Sequence, residues 1–326
     1  MGLIEVSGLT KSYGAKQVLR GIDLTVDAGE IVGILGPNGA GKTTAVECIG
    51  GLRTCDGGTI TVAGADPATE PPGFRLLLGM QLQQCRLPAK ITTAEALDLF
   101  ASFYPDPVPT GELLERFGLT AQARTRFEKL SGGQQQRLSV ALALVGRPRI
   151  AILDELTTGL DPAARREIWG YLRDLKAAGV TMLLVTHSME EAQFLCDRVA
   201  IIDDGLVVAE GAPSELADTT VQQQTSFALD PEDQPQHGVE ELLDLLRALP
   251  GVHSARVIDQ ASGADARHAG SAAGPGAAAR IVADGDADSP QRILSALIEA
   301  GVRPHRLRVV QPTLDDAYLR ITQEQE

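Results

Sequence analysis

Short apolar runs alternate with stretches of helical spacing along most of this chain. Residues 3–6 and 22–26 read as strands, with Tyr13 and Gly14 in the turn between them. The apolar run 31–35 ends at a glycine-rich loop, and residues 42–49 then take helical spacing. Residues 59–62 and 76–82 read as further strands. From about residue 92 to 145 the pattern is mainly helical, with Ala96, Leu97, Leu99, Phe100 and Phe103 at helical intervals and Pro105, Pro107 and Pro109 as breaks. Strand 150–153 precedes a helix over 163–177 that Asp161-Pro162 starts. Strand 181–185, helix 189–196 and strands 199–202 and 206–209 complete the series. Strands alternating with helices predict an α/β layer fold with a mainly parallel sheet.

The pattern changes after about residue 216. Residues 218–224 are polar and read as a linker. Beyond them come strand 226–229, helix 239–249, strands 253–258 and 280–283, helix 290–300 and strand 306–310, then a last helix over 314–321. That β-α-β-β-α-β order is ferredoxin-like and predicts a small α+β second domain over 225–326. Residues 260–279 are rich in Ala, Gly and Ser and are expected to be a flexible loop.

Composition narrows the function. The 326 residues carry a net charge of −14, a poor balance for general binding to a phosphate backbone. The four cysteines (Cys48, Cys55, Cys85, Cys196) show no metal spacing and are expected to be free thiols in a reducing compartment. The first residues lack the apolar core of a signal peptide, and no apolar run reaches membrane-spanning length. A cytoplasmic protein is expected, whose membrane work would need a partner.

Two motifs carry chemistry. Gly36-Pro37-Asn38-Gly39-Ala40-Gly41-Lys42-Thr43 has strand before it and helix after it, the context of a phosphate loop. Its glycines let backbone N–H groups turn toward phosphate oxygens, and the helix adds its positive end. Lys42 supplies a cation for the β- and γ-phosphates, Thr43 a hydroxyl for Mg²⁺, and Thr44 is grouped with the loop as nucleotide-binding. ATP with Mg²⁺ is the expected ligand pair. Asp154 and Glu155 emerge at the carboxyl end of a buried strand, where ligands of open α/β sheets sit. Asp154 fits a metal-organising acid, acting through water, and Glu155 a base or water orienter.

Between these motifs lies Leu130-Ser131-Gly132-Gly133-Gln134. With it, residues 2–215 closely resemble the ATP-binding cassette proteins, and the tail resembles them loosely. The resemblance implies a phosphate-loop cassette over residues 1–217, with a parallel core, an antiparallel β subdomain and a helical subdomain over about 84–146. It implies that Ser131, Gly132, Gly133 and Gln134 close over ATP held by the other chain of a homodimer. It assigns Gln83 to metal and attacking water, ahead of its neighbours Gln81 and Gln84. It assigns His187 to the γ-phosphate, Tyr13 to adenine stacking, and Asp161, in Thr158-Gly159-Leu160-Asp161, to the loop that crosses the dimer. The family usually has proline after the catalytic glutamate; here Leu156 frees that dihedral, which implies slower turnover.

The ending Pro312-Thr313-Leu314-Asp315-Asp316-Ala317-Tyr318-Leu319 looks like the daunorubicin-resistance and polysaccharide-exporter branch. The expected function is therefore an ATPase that drives a separate transmembrane permease and sits peripherally on the inner membrane face. An importer ATPase is the nearer alternative. A soluble cassette acting on nucleic acid or ribosomes is the further one, and the acidic single cassette argues against it. The second domain is expected to be a regulatory or dimer-contact module.

Overall fold

The computed structural model describes residues 2–69, 71, 73–81, 87–220, 223–229, 239–258, 279–286, 288–310 and 313–323. The chain divides into two units, Met1–Pro213 and Ser214–Glu326.

The first unit runs β1 (Ile4–Tyr13), β2 (Lys16–Val26), β3 (Ile31–Leu35), α1 (Lys42–Ile49), β4 (Gly57–Val62), α2 (Phe74–Leu77), β5 (Leu78–Gln81), α3 (Thr93–Ala101), α4 (Thr110–Arg116), α5 (Gly132–Leu144), β6 (Ile150–Asp154), α6 (Pro162–Ala177), β7 (Thr181–Val185), α7 (Met189–Leu195), β8 (Arg198–Asp203) and β9 (Leu206–Gly211). Six strands form one sheet in the order β5-β6-β7-β3-β8-β9. All neighbours are parallel except β9, which closes the edge antiparallel to β8. Every residue of β3, β6 and β7 is buried, as expected of parallel strands covered on both faces, so their sequences are continuous apolar runs. A second, antiparallel sheet has the order β2-β1-β4. Its inner face shares one apolar core with the larger sheet, through Ile4, Leu9, Leu24, Val46, Ile152 and Leu183.

Helix starts are marked by side-chain caps. Ser131 opens α5 with a capping box: its hydroxyl accepts the Gln134 N–H and the Gln134 side chain accepts the Ser131 N–H. Asp161 opens α6, followed by Pro162 in the first turn, where proline loses no hydrogen bond. Residues 92–145 hold α3, α4 and α5.

The strands expected at 3–6 and 22–26 are longer, Ile4–Tyr13 and Lys16–Val26, so Tyr13 ends a strand and the turn is Gly14-Ala15, because the two strands pair almost to their tips. A second boundary differs as well. Residues 76–81 do not form a single strand: Phe74–Leu77 is a helical turn and the strand is Leu78–Gln81, while residue 82 of the expected strand lies outside the described residues. Pairing decides the border, since the ladder with β6 begins at Leu78 opposite Ile150. Phe74 buries itself before that point, while Leu76 stays exposed, as suits a turn rather than a two-faced strand.

The second unit runs α8 (Pro213–Thr220), β10 (Gln223–Leu229), α9 (Val239–Arg247), β11 (Val252–Ile258), β12 (Ala279–Gly285), α10 (Ser289–Glu299), β13 (His305–Val310) and α11 (Leu314–Gln323). From β10 to β13 the order is β-α-β-β-α-β, and the sheet is antiparallel with strand order β11-β12-β10-β13. Phe227, Leu229 and Ile281 from the sheet pack with Leu242, Leu246, Ile293 and Leu297 from α9 and α10. Within the expected linker at 218–224, α8 continues to Thr220 and β10 starts at Gln223, and residues 221 and 222 lie outside the described residues. Leu216 and Ala217 of that helix are buried, and Gln224 pairs opposite Asp284 and Val310. Of the loop expected at 260–279, residues 260–278 lie outside the described residues, and Ala279 begins β12.

Candidate active site

The loop between β3 and α1 is built around backbone approach. Gly36 has φ 150°, and a Cβ there would stand 2.0 Å from the Ile202 carbonyl oxygen, so only glycine fits. Gly41 has φ 103° and serves as the N-cap of α1 with no side-chain cap hydrogen bond. The first N–H groups of α1 are therefore left for a ligand to satisfy. Pro37, Asn38, Gly39 and Ala40 form the turn between, with the Ala40 N–H on the Pro37 carbonyl at 3.3 Å. Lys42 folds back over the loop and donates to the carbonyls of Gly36 at 2.7 Å and Pro37 at 2.8 Å. Burial lowers its pKa, against the opposing pull of Asp154 and Glu155. Thr44 is half-buried in the same first turn.

Asp154 ends β6, and Thr43 donates its hydroxyl to the Asp154 carboxylate at 3.2 Å. Asp154 is 1 % exposed. Burial pushes its carboxyl up to about 6 and the charge of Glu155 adds to this, while the Thr43 hydroxyl and Lys42 pull it down. Its own N–H donates to the Gln81 side chain at 3.1 Å.

Glu155 turns the chain. Its φ is 52°, the left-handed region, its N–H donates to the Val185 carbonyl at 2.8 Å, and its carbonyl accepts from Gln136 Nε2 at 2.9 Å. Because β7 lies beside β6, His187 comes next to it: Nδ1 is 3.6 Å from a Glu155 carboxylate oxygen. His187 is largely exposed. Two residues after Glu155 the loop is pinned again. Thr157 and Trp169 both donate to the buried Glu191 carboxylate, at 2.9 and 3.0 Å.

The loop, Asp154, Glu155 and His187 thus come together, while the remaining candidates stand in settings of their own. Tyr13, at the end of β1, is 42 % exposed, with the Arg53 guanidinium 5.3 Å from its ring centroid. Ser131 and Gln134 hydrogen bond to each other at the start of α5, with Gly132 and Gly133 in its first turn. The Asp161 carboxylate accepts from the N–H groups of Ala164 and Ala163 at 3.0 Å, which lowers its pKa. Gln83 lies outside the described residues. Gln136, Glu191 and Thr157 were not singled out from sequence, and Gln81, weighed there only as a neighbour of Gln83, is the glutamine that accepts from the Asp154 N–H. Gln134, Gln135 and Gln136 are identical in type and adjacent, and only the fold assigns them: a cap, a brace on the Phe127 and Leu130 carbonyls, and a hold on Glu155.

An anion cradle at the carboxyl edge of a parallel sheet, beside a buried carboxylate and a second acid, defines a phosphate-loop nucleotide-binding protein. Comparison with known proteins gives the family. The family model described as "ABC transporter" matches residues 19–158. The daunorubicin resistance ATP-binding protein DrrA3 of Streptomyces coeruleorubidus is 35 % identical over 98 % of this chain and 95 % of its own length, so the likeness takes in the second unit. The Nod factor export ATP-binding protein I of Rhizobium meliloti (strain 1021) is 44 % identical over 67 % of each chain. Among solved structures, an ABC transporter ATP-binding subunit matches with TM-score 0.61 and 30 % identity over 66 % of this chain and 92 % of its own. A dimeric ATP-binding cassette in a post-hydrolysis state bound to ADP and Pi matches with TM-score 0.60 and 28 % identity, over 64 % and 98 %. The chain belongs to the ATP-binding cassette family of transporter ATPases, whose members bind and hydrolyse ATP. No described helix is long and apolar enough to cross a membrane.

Proposed function

We propose that this chain hydrolyses ATP to drive an exporter through a separate transmembrane permease, on which it sits peripherally at the inner membrane face. The observation that carries the proposal is the junction of Lys42, Thr43, Asp154, Glu155 and His187 at one sheet edge. The likeness to a daunorubicin resistance ATP-binding protein and to Nod factor export proteins supports the direction of transport. Nothing favours import, or action on nucleic acid, over this reading.

In it, the backbone N–H groups of residues 38–43 and the Lys42 ammonium hold the phosphates. Thr43 and Asp154 place two hard oxygen donors side by side, and no described group of three or more His, Cys, Asp or Glu competes with them. Such a pair fits Mg²⁺, which keeps much of its shell for phosphate and water. Bound there, Mg²⁺ would neutralise charge on phosphate oxygens. Glu155 orients the attacking water and takes its proton, and His187, beside it, contacts the γ-phosphate. Tyr13 stacks on adenine, with Arg53 bracing its ring. Ser131, Gly132, Gly133 and Gln134 meet ATP held by a second copy of the chain, and Asp161 lies in the loop between copies. Gln83 is assigned to water and metal with them.

The second unit, read as a ferredoxin-like module, sets coupling or dimer lifetime. Removing everything after Pro213 should leave ATP binding intact and change only the rate of dimer exchange or the coupling to the permease. The transport proposal is tested by reconstituting the chain with its permease in vesicles and measuring ATP-driven efflux of permease substrate. Movement in the opposite sense, or tight binding to ribosomes or DNA with no membrane partner, would overturn it.

A further inference from the structure

We infer that Gln136 is a positioning residue for Glu155, linking the helix that begins at Ser131 to the geometry of hydrolysis. The inference rests on the reading of Glu155 as the group that orients the attacking water.

Glu155 holds φ 52°, where a side chain other than glycine is strained and persists only if its surroundings fix it. Both backbone groups of this residue are engaged from opposite sides. Its N–H is held by the Val185 carbonyl of β7, a rigid central strand. Its carbonyl is held by the Gln136 amide at 2.9 Å, from α5. The Thr158 N–H reaches the same carbonyl at 3.2 Å, but from within the turn itself, so it moves with the loop. Leu156 is fully buried and carries no ring to restrict the adjoining dihedrals. Gln136 is thus a long-range restraint on the peptide that follows Glu155, which helps to aim its carboxylate. It lies five residues after Ser131 on one unbroken helix. A shift of α5 by about 1 Å lengthens this hydrogen bond past its useful range and frees Glu155 to relax.

This predicts a loss in the chemical step without a loss in nucleotide binding, because no hydrogen bond of Gln136 touches residues 36–43. Three variants of similar reach separate a donor from a filler: Gln136→Met removes the donor, Gln136→Glu replaces it with an acceptor, and Gln136→Lys keeps a donor. Steady-state ATP turnover should fall about tenfold for Met and Glu, with KM within about twofold of the parent. Lys should retain most of the rate. A packing role would instead rank Met above Lys. That order, a Met variant as fast as the parent, or a KM change as large as the kcat change would overturn the inference. Melting curves identify any variant that fails to fold, and the Glu and Lys pair alone still decides between donor and filler. Glu155→Gln is assayed alongside. If it still turns over, the reading of Glu155 fails; if it is dead while the Gln136 series is flat, this inference alone fails.

Discussion

Two carboxylates, one in each unit, meet burial in opposite ways. Asp154 ends a central strand of the first unit; its carboxyl is pushed up to about 6 by burial and by Glu155, which Thr43 and Lys42 only partly offset. Asp284 lies on β12 of the second unit. Burial pushes it up too, yet it ends below the ordinary carboxylate range, because Gln224 at 3.0 Å, Ser254 at 2.7 Å and Arg256 at 3.0 Å all donate to it. The second unit completes its acid with its own side chains. The first unit leaves its acid with donors too few to offset burial, beside the loop at 36–43. In the proposed function, the two carboxylates differ in who supplies the missing partner: the fold for Asp284, nucleotide and cation for Asp154.

The largest effect that would sharpen this contrast is at Lys42. Lys42→Ala should weaken ATP binding by roughly a hundredfold, about 2–3 kcal/mol for a lost charge-assisted contact. Equilibrium binding of a fluorescent ATP analogue checks it; affinity within about threefold of the parent would break the account.

Asp154→Asn should act in the opposite sense on stability. The folded-state pKa, about 6, lies above the ordinary 3.8, so folding takes up a proton between these values. The cost of the buried charge is therefore present above pH 6 and vanishes as pH falls through about 4. With chelator and no nucleotide, Asp154→Asn should stabilise the first unit by on the order of 2 kcal/mol at pH 8, and by nothing at pH 4. Denaturant melts across this range would show it, and a destabilised variant at pH 8 would contradict it.

Asp284→Asn should destabilise, by about 1 kcal/mol at neutral pH, since an acceptor of three hydrogen bonds loses its charge. A depressed pKa contributes stability above the ordinary value that is lost as pH falls through the folded one. The gap between parent and variant should therefore close below about pH 4. Equal and same-signed effects at the two aspartates would erase the comparison.

Much of the first unit was legible in the sequence because its signals are local. Unbroken apolar runs gave β3, β6 and β7, and the phosphate loop and the Ser131 and Asp161 caps are contiguous motifs. Failures fell where tertiary pairing decides. The apolar stretch 76–82 has no period that separates helix from strand, and only pairing with Ile150 places the border. The polar composition of 218–224 hid the end of α8 and the start of β10, which pairs with β12 and β13. The site itself divides in the same way. Lys42, Thr43, Asp154 and Glu155 follow from motif and strand end. The supports beneath them do not: Gln136 reaches 19 positions to Glu155, and Glu191 gathers Thr157 and Trp169 from separate elements. No local pattern marks such residues, because their role exists only once the sheet has brought β6 and β7 together.

In the proposed function Glu155 drives hydrolysis while the loop at 36–43 binds nucleotide without it. Glu155→Gln keeps the size and the backbone of this residue and removes the charge. The direct measurement is ATP affinity and steady-state turnover on the same preparation. Affinity should stay within about threefold of the parent while turnover drops a hundredfold or more, roughly the scale of a lost general base. Turnover within tenfold of the parent at unchanged affinity would contradict the account.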